Sequence, residues 1–245
     1  MPHTHIVTAF DQDLETLTGS LGAMGDFARA QFTDAVQALL RGDTALAHRV
    51  VDQDRQLDAL RRDLSASAAL VIAKRQPMAS DLDEVLADFR IVEDLERIGD
   101  LAKNIAKRAI AVAGTAIPED LVTRMDDLAA LASDQLRRAV STFLSRDPDE
   151  ALAVRQRDES VDELHTAIFR DLVARMGADS SQVVAYVHLL FCAKNIERVG
   201  DHAAHVAEAA YVKATGREPD TERRRLDLSS TITGHTQAGD LDTPT

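Results

Sequence analysis

The pentapeptide Glu96-Arg97-Ile98-Gly99-Asp100 returns 101 residues later as Glu197-Arg198-Val199-Gly200-Asp201, and this pair decides how the chain is read. Each copy continues in the same period, with Ala102, Ala106 and Ala109 falling on Ala203, Ala207 and Ala210. Upstream the shift becomes 104, placing Asp43 on Asp147, Val50 on Val154, Asp54 on Asp158 and Leu57 on Val161. It also places Asp58 on Asp162 and Leu60 on Leu164. The three-residue change falls at the turn around Pro77. An indel confined to a turn between matched helical segments is what a duplicated helical hairpin should show.

Working outward, helix-period patterns run between a few breakers. The first helix is expected from about Gln12 to Arg41, ending at Gly42, and the second from Thr44 to Arg75, stopped by Pro77. Ser80 offers an N-cap for a third helix reaching about Ala113, which Gly114 closes. Pro118 stands near the start of a fourth, which ends near Arg146. A fifth runs to Met176 with Gly177 as its cap, and Ser180 opens a sixth ending at Gly216. Aromatic residues are only 4% of the 245, with no Trp and six Pro, and strand alternation and hairpin dipeptides are absent. The expected fold is all-α: two tandem three-helix bundles related by duplication, at 10–114 and 115–216. Residues 217–245, rich in Ser, Thr, Gly and Asp, read as a flexible, solvated tail that includes Arg223-Arg224-Arg225.

The net charge of −13 argues against nucleic-acid binding through phosphates, which needs a basic stripe. No apolar run approaches the ~18 residues of a membrane span, and no signal peptide is visible. One cysteine, Cys192, sits in the apolar run Leu189-Leu190-Phe191-Cys192-Ala193 and reads as a small buried residue in a reducing compartment. The expected location is cytoplasmic. No nucleotide loop, nucleophile elbow or zinc-protease motif occurs, so catalysis has little support. The nearest hint, Asp162-x-x-His165, matches half of a bundle-type carboxylate–histidine pattern and occurs once.

The chemistry-bearing pattern is carboxylate. Asp54 and Asp58 are spaced i, i+4 and share one helix face, as do Glu96 and Asp100 on the next helix. Asp58 and Glu96 each lie 19 residues from Pro77, and Asp54 and Asp100 each lie 23. In an antiparallel pair, equal distance from the turn means equal height, so four acids face one another. Around Asp179 the second half repeats this, with Asp162 and Glu197 at 17 and 18 residues and Asp158 and Asp201 at 21 and 22. Such quartets repel unless solvated, protonated or neutralised by a cation. Oxygen ligands of this kind suit Mg, Mn, Ca or iron in a multinuclear site. The competing reading is a solvated face paired with Arg97 and Arg198. Asn104 and His205 are equivalent positions one turn further on that could add ligands, whereas the i, i+3 pair His202/His205 alone is weak evidence for a metal. Gly99 and Gly200, each costing ~1 kcal/mol in mid-helix, point to close helix approach.

Two segments carry a family resemblance: Arg75-Gln76-Pro77-Met78-Ala79 followed by Glu93 to Ala106, and Ala193 to Ala203 in the second half. Over roughly residues 10–214 the chain resembles the PhoU family. That resemblance implies two three-helix bundles whose Asp54/Asp58, Glu96/Asp100, Asp158/Asp162 and Glu197/Asp201 motifs hold iron or zinc clusters in some members. It also implies a cytoplasmic regulator of phosphate uptake, often dimeric. Such a regulator couples the ATPase subunit of the phosphate ABC transporter to a sensor histidine kinase and keeps the starvation response off when phosphate is plentiful. Two other classes stay open: a metal-buffering or metal-dependent enzyme built on a carboxylate bundle, and a purely structural helical module.

Overall fold

The computed structural model describes residues 3–78, 80–219 and 227–229, and among them every regular element is helical. The order is α1 (His3–Arg41), α2 (Thr44–Arg75), α3 (Ser80–Ala111), α4 (Glu119–Ser145), α5 (Pro148–Gln156), α6 (Asp158–Ala178) and α7 (Val183–Thr215). A short 3-10 turn at Ser180–Gln182 precedes α7. The expected stops hold where glycine supplies a left-handed backbone: Gly42, Gly114 and Gly216 have φ of 65°, 84° and 68°. Pro118 caps the start of α4, and Pro77 follows Gln76, the C-cap of α2.

Four boundaries differ from the sequence expectation. The first helix begins at His3 rather than Gln12. α3 begins at Ser80 itself, whose side chain lies outside the described residues. The expected fifth helix is two helices, because the Arg157 N–H donates to Val154 O at 3.2 Å and tightens the chain to an i→i+3 turn there. Gly177 is not a cap: α6 runs through Ala178, and Asp179 leaves it in extended backbone, its carboxylate accepting the Ser181 N–H at 2.9 Å. An Asx turn thus replaced the glycine stop.

In the first half α1, α2 and α3 pack on one another, and in the second α4, α5, α6 and α7 do the same. The halves join through homologous helices, α3 against α7 and α1 against α4. Asp88 of α3 meets Lys213 of α7, Asp94 meets His202, and Arg108 meets His188. The α7 numbers fall as the α3 numbers rise, so the two helices are antiparallel. Gly22 and Gly25 of α1 meet Leu144 and Val140 of α4 in the same sense. The duplicated halves are therefore related by a pseudo-twofold axis across the bundle, passing near Ile98 and Val199. Around it α1, α3, α7 and α4 form a central four-helix layer, with α2 outside one flank and α5–α6 outside the other.

The central layer contains a buried ion pair. Lys213 Nζ donates to Asp88 Oδ1 at 2.7 Å and to Thr18 Oγ1 of α1 at 3.1 Å. It lies 4.3 Å from the ring centroid of Phe143 on α4, so one ammonium touches all four central helices. Asp88 is fully buried, and burial raises its pKa to about 6 against the pull of Lys213. In Lys213→Met the carboxylate would be buried without its main partner, at a cost of roughly 3–5 kcal/mol at pH 7.5. Lys213 pulls the Asp88 pKa down, so without it the carboxyl protonates above about 6, and the loss should shrink as pH falls toward that value and level off below it. Urea titrations of wild type and variant at pH 7.5 and pH 5 measure the difference, and an equal loss at both would contradict this account.

Candidate carboxylate sites

Close approach of α3 to α2 begins at Gly99. A Cβ there would lie 2.0 Å from Leu57 Cδ2 and 3.1 Å from Gln31 Oε1. At Gly200 it would lie 3.2 Å from both Gln135 Oε1 and Val161 Cγ1, and 3.3 Å from Asp158 Oδ1. The paired glycines thus serve helix packing, as the sequence suggested. Gln31 and Gln135, related by the same 104-residue shift, are each buried to 1%. Gln31 Nε2 donates to Val50 O at 3.2 Å, and Gln135 Nε2 donates to Asp158 Oδ1 at 3.4 Å. Sequence reasoning missed these glutamines, although their recurrence at the duplication spacing was a usable signal.

The hairpin register is the one the turn arithmetic demands. Lys103 Nζ donates to Asp54 Oδ2 of α2 at 2.7 Å and to Asp100 Oδ1 of α3 at 2.5 Å, so Asp54 and Asp100 stand at one height. Two turns along, Arg61 pairs with Glu93 at 3.3 Å. Arg97 Nη1 reaches Asp100 Oδ2 at 3.5 Å, while its Nε is 3.7 Å from Glu96 Oε2. Asp58 is half-buried on the neighbouring turn of α2. A lysine set three residues beyond the motif therefore carries much of the neutralisation that the sequence reading gave to arginine. Burial works against the charged Lys103, but its hydrogen bonds to Asp100 and Asp54 outweigh this and raise its pKa.

The second quartet is drier. Asp158, Asp162 and Glu197 are buried to 1%, 2% and 3%, and Asp201 is half-buried. The turn at Arg157 sets Asp158 and Asp162 inside, beside Val161. The lysine here is Lys194, three residues before the motif, whose Nζ donates to Glu197 Oε1 at 2.8 Å and to Asp227 Oδ2 at 2.7 Å. Asp227 comes from the expected tail: residues 227–229 lie against the second bundle, with the Leu228 N–H donating to Thr166 Oγ1 at 3.2 Å. The remainder of the tail beyond Pro219, including Arg223-Arg224-Arg225, lies outside the described residues. Burial alone would raise the Asp227 pKa, yet hydrogen bonds from Lys194 and Ser229 hold it well below the usual carboxylate range. His165, 1% exposed, lies 3.3 Å from Asp227 Oδ1, and burial lowers its pKa.

Glu96 and Glu197 occupy equivalent positions and share one anomaly. Glu96 Oε2 and Glu197 Oε2 are both buried without a hydrogen-bond partner. Burial raises the pKa of each, with Asp100 adding to it at Glu96 and Asp201 at Glu197. Glu197 reaches about 7 despite the pull of Lys194. Buried carboxylate oxygens that accept no hydrogen bond are chemically suited to a hard cation as partner.

These features define a class, a duplicated helical-bundle protein with an acidic motif in each half, and the comparisons place the chain within it. The PhoU domain model matches twice, over residues 21–109 and 125–210. The chain is 47% identical over 232 residues to the phosphate-specific transport system accessory protein PhoU homolog of Rhizobium meliloti, covering 95% of this chain and 98% of that one. It is 40% identical over 227 residues to the Caulobacter vibrioides protein of the same description, covering 92% and 98%. The crystal structure of PhoU from Pseudomonas aeruginosa superposes with a TM-score of 0.81 at 32% identity, covering 85% of this chain and all of that one. The chain belongs to the PhoU family.

Glu197 yields a direct check on the second quartet. Its folded pKa of about 7 stands above the ordinary 4.5, so its contribution to stability is lost as pH rises between those values. In chelator-treated protein, Glu197→Gln keeps the volume and removes the charge. It should raise stability at pH 7.5 by on the order of 1–3 kcal/mol and change it little near pH 4.5. Thermal melts at the two pH values read this, and a destabilised variant at pH 7.5 would contradict it.

Proposed function

We propose that this protein is an accessory regulator of phosphate-specific transport, an adaptor between the ATPase subunit of a phosphate ABC transporter and a sensor histidine kinase. It would hold the phosphate-starvation response off when phosphate is plentiful. The observation that carries the reading is the near end-to-end match to proteins described as phosphate-specific transport system accessory proteins. Those descriptions name an accessory role, which also favours an adaptor over an enzyme. No helix among the described residues is long and apolar enough to cross a membrane, so in this reading the protein meets the transporter from the cytoplasm. One surface engaging either transporter or kinase would shift the kinase's output by differential binding. A homodimer belongs to the same reading.

The reading includes metal at both acidic sites. Asp54, Asp58, Glu96 and Asp100 would hold it in the first half, and Asp158, Asp162, Glu197 and Asp201 in the second. Iron or zinc clusters come from the family resemblance, and Mg or Mn from the oxygen donor set. Such an ion would supply positive charge between the acidic helices, and binding would have to draw the carboxylates inward, because among the described residues no three acids of either quartet bring their oxygens within 4.8 Å of one another. Glu96 Oε2 and Glu197 Oε2, buried without a hydrogen-bond partner, support that role. Lys103 and Lys194 hold the neighbouring carboxylates in place.

Immobilised protein should retain the transporter ATPase subunit, the kinase, or both, with the balance changing between phosphate-rich and phosphate-starved extracts. Retention of neither under either condition would end the adaptor reading. Plasma mass spectrometry on dialysed protein should find more than one tightly held metal ion per chain, reduced when Asp54, Asp58, Glu96 and Asp100 are all changed to Ala. Equal metal in both samples would return those acids to a solvated, lysine-paired face.

A further inference from the structure

We propose that Asp94, His202 and His205 form a nitrogen-rich site for one divalent zinc-class ion, clamping the first bundle to the second. Asp94 stands on α3 and both histidines on α7, so the three donors meet across the seam between the halves. Their ligand atoms all lie within 4.8 Å of one another, the only such group among the described residues. His202 Nδ1 is 2.8 Å from Asp94 Oδ1 and His205 Nδ1 is 3.5 Å from the same oxygen. The two rings stand edge to face, 5.7 Å between centroids and 87° apart. With zinc–nitrogen and zinc–oxygen bonds near 2.0–2.1 Å, neighbouring donors in a tetrahedron are roughly 3.3 Å apart. The observed 2.8 and 3.5 Å bracket that spacing, so rotation of side chains alone admits an ion.

Two imidazoles and a carboxylate suit zinc, or cobalt and nickel as probes, better than the hard cations that fit the all-oxygen quartets. Asp94 and His202 are 17% exposed in their side chains while His205 is 39% exposed, leaving an entry path and room for water as fourth ligand. Cys192 is no competitor, because burial holds its thiol protonated with a pKa of about 12. The site is separate from Glu96 and Asp100: at ~100° per residue, Asp94 and Glu96 stand roughly 200° apart around α3. On α7, Asp201 is one turn from His205, so the seam site and the second quartet are neighbours. The pseudo-twofold sharpens the inference. The positions equivalent to Asp94, His202 and His205 are Asn195, Leu101 and Asn104, a set without a charged or imidazole donor. One side of the seam carries a ligand set and its duplicate does not.

Full-length protein, stripped with chelator, would be titrated with Co2+ and then Zn2+ against a chromophoric chelator. The variants are His205→Asn, which installs the residue of the other repeat, Asp94→Asn, and the control Asp100→Asn/Glu197→Gln. Wild type and the control should show the intense visible band of four-coordinate cobalt, which zinc displaces as it fills the seam site. His205→Asn and Asp94→Asn should lose the band and bind that zinc more than ~100-fold more weakly, beyond the roughly 10–100-fold that loss of an outer-shell partner costs. His205 is partly exposed, so its variant should fold, and far-UV circular dichroism of the metal-free protein checks this. A cobalt band and zinc affinity unchanged in both seam variants would overturn the proposal. A loss confined to the Asp100/Glu197 control would also overturn it, assigning the ion to the quartets.

Discussion

The Lys213–Asp88 ion pair is the contact on which the central layer depends, because it is made where four helices have no water to share. Ionising both groups in such a place costs several kcal/mol each before any attraction is counted. The cost is met by a 2.7 Å charge-assisted bond, by Thr18 on α1 and by the Phe143 ring on α4. Arg146 and Glu84, paired with each other, add a second layer of charge around Asp88. An apolar pair of similar volume would tolerate a sliding or rotated α7. A lysine whose partners sit on three other helices does not, so the ion pair fixes the register of the two halves.

The fold was legible because duplication doubles every local signal. Apolar periods, the Glu-Arg-(Ile/Val)-Gly-Asp motif and the alanine series at 102, 106 and 109 each appear twice, and their agreement pointed to two copies of one helical unit. The hairpin register followed from counting outward from Pro77, and Lys103 bridging Asp54 and Asp100 shows why counting works in an unbroken helix pair. The misplaced boundaries have local causes. At Arg157 no breaker residue exists, and the turn is drawn by an i→i+3 bond and by the burial of Asp158 and Asp162. At Gly177 an Asx turn two residues on took over the stop. Neither cause has a one-residue signature.

At the sites, identity was more legible than neutralisation. The eight acids were readable from spacing, but the cations beside them were not, since Lys103 and Lys194 occupy non-equivalent positions in the two repeats. Their partners in the other copy are Ala204 and Glu93. Asp227 was still less accessible, because nothing in a polar tail announces which residue returns to the bundle. Asp94 was invisible for a geometric reason. It is a single acid outside the i, i+4 pairs, and only the antiparallel crossing of α3 and α7 brings it to His202.

Duplication followed by asymmetric change is what gives the molecule a direction. Matched acids, glycines and glutamines keep the two halves superposable, and each matched glutamate retains one buried oxygen without a hydrogen bond. The differences lie in what surrounds them. The first quartet is wetter and held by Lys103, and the second is dry, held by Lys194 and closed by Asp227 from the tail. The second site therefore includes a contact from residues 227–229, whereas the first is built from α2 and α3 alone. The seam cluster breaks the symmetry in the same direction, since His205 lies one turn from Asp201 and across from Asp94. Asp201 of the second quartet thus stands within one helical turn of His205, at the contact joining the halves.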